Sequence, residues 1–64
     1  MKWTDIHYIA EELADRHHKI DPKNIRFTQL RELVLSLPAF DDKPDHCGEK
    51  ILEAIQQAWI DENN

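Results

Sequence analysis

The chain has 64 residues, with 8 Lys+Arg against 13 Asp+Glu and a formal net charge of −5. This bounds it to one small domain and argues against non-specific nucleic-acid binding, because an acidic field repels phosphate. A single cysteine excludes an internal disulfide framework and a multi-cysteine zinc site, and a single glycine argues against a fold of many hairpins.

In chain order, Thr4 or Asp5 can cap a first helix by accepting from the open N–H groups of its first turn. Ile6, Ile9, Ala10, Leu13, Ala14 and His17 recur at helical spacing and form one buried stripe. Tyr8, Glu11, Glu12 and Asp15 fall on the opposite face. Asp21-Pro22 is a cap followed by a residue with its φ already fixed, so a turn of helix restarts there. Ile25-Arg26-Phe27 is expected to be extended, and Thr28 to cap a second helix that buries Leu30, Leu33, Val34 and Leu37 and stops before Pro38. A polar loop runs from Pro38 to about Cys47. A third helix begins near Gly48 and packs through Ile51, Leu52, Ile55, Ala58 and Trp59, with Trp3, Phe27 and Phe40 as further core residues. Leu35 and Ile60 fall off their core stripes. The expected fold class is mainly α: a small three-helix, winged-helix-like domain over residues 1–64, with little or no strand. The longest apolar run, Leu33-Val34-Leu35, is far below the roughly 20 residues of a membrane span. No secretory signal opens the chain, so a soluble cytoplasmic protein is expected.

The charge is uneven along the chain. Residues 38–64 hold Asp41, Asp42, Asp45, Glu49, Glu53, Asp61 and Glu62 against Lys43 and Lys50, so this stretch carries −5. Residues 1–20 carry −1 and residues 21–37 carry +1. Such a field favours cations or a basic protein surface. The Asp41–Asp45 loop is not an EF-hand. In the register starting at Asp41, a lysine, a histidine and a leucine stand at positions 3, 6 and 12; starting at Asp42 recovers Glu53 but puts Pro44 at position 3. Asp41, Asp42, Asp45 and Glu49 can still hold a hard cation loosely, against the plainer reading of a solvated acidic loop. His7 and Glu11, four residues apart, with His18 three turns beyond His7 on a similar bearing, form a second weak candidate for a divalent metal. His46-Cys47 lacks the positioned base and orienting group that a nucleophilic cysteine needs. No phosphate-binding glycine loop, Ser-His-Asp set or paired-acid pocket stands out, so an enzyme is not expected. Gln29 and Arg31 on the second helix would suit a DNA-reading helix, but the third helix shows Glu49, Glu53 and Asp61 instead of a basic stripe.

Taken together, Lys2-Trp3-Thr4-Asp5, Asp21-Pro22, Arg26-Phe27-Thr28, Phe40-Asp41-Asp42, Pro44, Glu49-Lys50-Ile51-Leu52-Glu53-Ala54-Ile55, Trp59 and Asp61-Glu62 resemble the IscX (YfhJ) family over the full length. The resemblance implies a small acidic accessory protein of bacterial iron–sulfur cluster assembly, with a winged-helix-like fold that lacks DNA-binding charge. It implies docking on the basic surface of the cysteine desulfurase IscS, competition with bacterial frataxin, and weak binding of ferrous or ferric iron without a tightly bound cofactor. Carried over residue by residue, it places partner binding on Glu11, Glu12, Asp15, Asp41, Asp42, Glu49 and Glu53. Weak iron binding falls to Glu11, Asp15, Asp41, Asp42 and Asp45. The chain departs from the family pattern at Gln29, Leu33, Lys43 and Cys47-Gly48, and Lys43 competes with any cation in the loop.

The expected function is therefore an acidic, monomeric adaptor that modulates sulfur transfer by the desulfurase. A dedicated ferrous-iron donor is the rival, and a winged-helix DNA-binding regulator the more distant one.

Overall fold

The computed structural model of the protein describes residues 1–63. Three α-helices, α1 (Ile6–Arg16), α2 (Phe27–Leu35) and α3 (Glu49–Glu62), are joined through two 3-10 turns at Pro22–Asn24 and Pro44–His46. Among the described residues there is no strand, so the all-helical expectation holds and no β wing accompanies the helices. No helix is long and apolar enough to cross a membrane.

Each helix forms where an apolar stripe at helical spacing can be buried. α1 buries Ile9, Ala10 and Leu13, α2 buries Leu30 and Val34, and α3 buries Leu52, Ile55 and Trp59. Trp3, Ile25 and Leu37 complete the core from outside the helices. α3 packs mainly on α1, with lesser contacts to α2 and the first 3-10 turn. Gln56 on α3 ties that turn down by donating from Nε2 to Pro22 O at 2.8 Å. Phe27, Leu33, Phe40 and Ile51, expected in the core, are only half-buried and pack against its edge. Leu35 and Ile60 are also half-buried. The Trp59 indole N–H is buried without an acceptor. That costs about 1–3 kcal/mol, which burial of the large ring offsets.

The helix starts differ from expectation in instructive ways. Asp5 does occupy the cap position of α1, but its carboxylate makes no capping bond there; its Oδ2 accepts from the Lys2 backbone N–H at 2.8 Å. The extended segment ends one residue early, because Phe27 is already helical and Arg26 is the cap. Thr28 therefore lies inside α2. Burial of Ile25 on one side and Leu30 on the other sets that boundary, overriding the local preference of threonine. Asp21 behaves as expected: its side chain accepts from Lys23 N at 3.0 Å and from Asn24 Nδ2 at 2.8 Å. α2 stops at Leu35, where Ser36 Oγ donates to Leu33 O at 2.7 Å ahead of Pro38.

Gly48 caps α3 with no side-chain bond, at φ −89°, and a Cβ built there meets nothing within 4 Å. An asparagine at this position gains a capping oxygen and restricts the unfolded chain without strain. Gly48→Asn is expected to stabilise by about 0.5–1 kcal/mol, read as a raised urea midpoint with unchanged slope. A lowered midpoint would refute the open-cap reading.

Candidate functional site

The acidic residues singled out from sequence separate into two groups with different physical situations. The first, in the loop before α3, is tied to the chain's first residues. The Met1 amino group donates to Ala39 O, and the Asp41 N–H donates to Met1 O at 2.9 Å. Lys2 Nζ donates to Asp41 O at 2.8 Å and lies 3.1 Å from Asp41 Oδ1. Asp42 Oδ2 accepts from Trp3 N at 3.1 Å, and its Oδ1 accepts from Lys43 N at 2.7 Å. The Trp3 indole N–H donates to Lys43 O at 2.7 Å, and its ring meets Phe40 edge-on with centroids 4.8 Å apart. These bonds clip residues 1–3 to residues 39–43.

The clip leaves an electrostatic mark on both carboxylates. The hydrogen bond from Lys2, then the charges of Lys2 and the N-terminus, hold Asp41 below its ordinary value of 3.8. Hydrogen bonds from the Trp3 and Lys43 N–H groups hold Asp42 below it as well. Groups with depressed folded-state pKa values add stability above their unfolded values and lose it as the pH falls through the folded ones. The clip should therefore weaken in acid, below the ordinary carboxylate range. Asp42→Ala is expected to lower the urea midpoint at about pH 7, and the gap to the unaltered protein should narrow as the pH falls below the ordinary carboxylate range. A gap of unchanged size in acid would mean that the Asp42 charge plays no part in the clip.

The second group lies on helices and is open to solvent. Glu11 and Asp15 are exposed, one turn apart on the outer face of α1, and no ion pair among the described residues engages them. Glu12 is half-buried, with its Oε1 3.3 Å from Arg16 Nε. Glu49 and Glu53 are exposed in the first turns of α3, where the positive end of the helix stabilises Glu49. Asp45 is exposed in the second 3-10 turn.

The proposed metal ligands do not converge. Among the described residues no three His, Cys, Asp or Glu side chains form a group that could hold a metal ion. α1 ends at Arg16, so His18 lies in the following turn, off the helical bearing it was expected to share with His7. In the loop, Asp41 and Asp42 spend their oxygens on Lys2, Trp3 and Lys43, while His46 Nδ1 stands 3.6 Å from Asp42 Oδ1. Cys47 is half-buried and its thiol faces Pro44 O at 3.3 Å.

Two shallow grooves flank α3. One, of about 460 Å³, is lined by Lys50, Glu53, Ala54, Gln56 and Gln57. The other, of about 430 Å³, runs between Thr4, Ile6 and His7 on one side and Ala54, Gln57, Ala58 and Asp61 on the other. Thr4, His7 and Asp61 share this second groove, but no hydrogen bond among the described residues links them. Asp61 Oδ1 instead accepts from Gln57 Nε2 at 3.2 Å. What the surface offers chemically is exposed negative charge on rigid helices.

In the sequence Asp41 and Asp42 stand among the docking and iron candidates, with no sign of their bonds to residues 1–3. Those partners lie some 39 positions away, and no local pattern signals them.

Comparison with known proteins agrees in length and extent. A family model described as iron-sulphur cluster assembly matches residues 1–64. An uncharacterized protein of Pseudomonas aeruginosa is 47% identical over 64 residues, spanning 100% of this chain and 97% of that protein.

Proposed function

Because the chain belongs to the IscX (YfhJ) family of iron–sulfur cluster assembly, we propose that it is a non-catalytic acidic adaptor that docks on a basic surface of the cysteine desulfurase IscS and modulates sulfur transfer. The observation that carries this reading is the outer face of α1, where Glu11 and Asp15 stand exposed and unneutralised on a rigid helix. Glu49 and Glu53 add exposed negative charge on α3, whereas Glu12, Asp41 and Asp42 contribute charge already engaged by Arg16, Lys2, Trp3 and Lys43. Docking needs only complementary charge, and rim charges of this kind govern association rate and salt dependence.

In this reading the protein acts as a monomer in the cytoplasm and competes with the acidic bacterial frataxin for the same desulfurase surface. Iron is a secondary and weak ligand, taken by exposed carboxylates such as Glu11, Asp15 and Asp45 together with water. Delivery of iron as the principal task would call for a converging ligand set.

The test is binding to purified desulfurase across a salt series, without added iron. Affinity should fall steeply as salt rises, because screening shortens the reach of exposed charges from about 10 Å at 0.1 M salt to about 3 Å at 1 M. Absence of binding at low salt would refute the adaptor reading.

A further inference from the structure

Tyr8 is the one large apolar side chain left exposed among the described residues, with 53% of its surface open. It stands in the first turn of α1, and helical spacing places Glu11 one turn and Asp15 two turns further along the same face. The one aromatic pair described is Trp3 with Phe40, so the Tyr8 ring is not part of an internal stack. The neighbouring charges are also unequal. The Glu12 carboxylate is taken up by Arg16 and that of Asp5 by the Lys2 N–H, whereas Glu11 and Asp15 face solvent.

We propose that Tyr8 is the aromatic anchor of this face and seats an arginine of the basic partner surface, with the guanidinium stacked on the ring and its N–H groups donating to Glu11. Asp15, a turn further on, takes a second basic side chain. This rests on the adaptor reading and says which kind of partner residue the face selects. A flat guanidinium can lie on a ring and present its donor edge to an adjacent carboxylate at once. An ammonium on a flexible stem supplies only a point charge. Tyrosine and arginine also dominate the energetics of many protein interfaces, and a large ring exposed amid carboxylates has the form of such an anchor before its partner arrives. A neutral or acidic partner surface would leave the ring's rim of carboxylates unpaired, so charge complementarity commits the face to a basic protein.

The experiment compares the unaltered chain, Tyr8→Ala and Tyr8→Phe for binding to purified, iron-free desulfurase at about 0.05 M and about 0.15 M salt, with helical content checked by circular dichroism. Tyr8→Ala is expected to bind about five- to thirtyfold more weakly at both salt concentrations, because a stacked contact is screened far less than separated surface charges. Tyr8→Phe keeps the ring face and should stay within about twofold of the unaltered chain. Binding of Tyr8→Ala within about twofold of the unaltered chain at both salts overturns the anchor while leaving the adaptor reading standing. A loss in Tyr8→Phe as large as in Tyr8→Ala also overturns it, since the hydroxyl would then be the recognised group. Failure of the unaltered chain to bind at low salt overturns the adaptor reading and the anchor with it.

Discussion

Trp3→Ala is expected to remove most of the protein's stability and leave it marginally folded at room temperature. Trp3 is 1% exposed and sits in a turn ahead of α1, so only tertiary contacts hold it. Its ring fills the core and meets Phe40 edge-on, and its indole N–H donates to Lys43 O. Removing a buried tryptophan costs about 3–5 kcal/mol in lost transfer and residual cavity. The lost hydrogen bond adds about 1 kcal/mol. A domain of this size has about 3–10 kcal/mol in total, at roughly 0.05–0.15 kcal/mol per residue. One substitution therefore consumes most of the stability, and the clip between residues 1–3 and 39–43 goes with it. Urea unfolding followed by Trp59 fluorescence checks this, since Trp59 is then the remaining tryptophan. A cooperative transition within about 1 kcal/mol of the unaltered protein would show that the N-terminal segment is not part of the core. Trp3→Phe separates the two contributions: it keeps an aromatic ring against Phe40 and loses the bond to Lys43, so an intermediate cost is expected.

What the amino-acid pattern revealed, and what it hid, divides along the range of the interactions. α1 and α3 were legible because their buried residues repeat at helical spacing within one segment, and Asp21-Pro22 because a cap and a fixed φ act on the next two residues. The start of α2 lies two residues ahead of the cap that Thr28 suggests, because burial of Ile25 and Leu30, a tertiary matter, outweighs the capping preference of threonine. His18 shares the bearing of His7 only if α1 runs two residues further than it does. The helix stops at Arg16, and the His17 N–H closes it on Leu13 O at 2.8 Å. The acidic surface was legible as charge, since the sign of a side chain is independent of the fold. Which acids remain free for a partner was not, because it depends on what folding brings beside them. Asp41 and Asp42 look like Glu11 and Asp15 in sequence, yet the first two hold the molecule's own N-terminal segment and the second two face outward.

That division makes charge reversal on α1 the sharpest probe of docking. Glu11→Lys with Asp15→Lys moves the net charge from −5 to −1 and turns two attractive positions into repulsive ones. Both side chains are exposed and outside the clip, so the fold should be retained and the melting temperature little changed. An exposed ion pair is worth about 0.2–1 kcal/mol, and a like-charge pair costs at least as much again. Reversing two of them should weaken binding to the desulfurase about ten- to a hundredfold at low salt. The loss should appear chiefly in the association rate and shrink as salt rises, unlike the loss from removing the Tyr8 ring. The corresponding reversal at Asp41 and Asp42 would not discriminate, because it breaks the bonds from Lys2 and Trp3 and destabilises the loop along with any docking surface. If Glu11→Lys with Asp15→Lys binds the desulfurase as the unaltered chain does at low salt, the outer face of α1 is not where the partner sits, and the exposed Glu49 and Glu53 of α3 become the surface to reverse next.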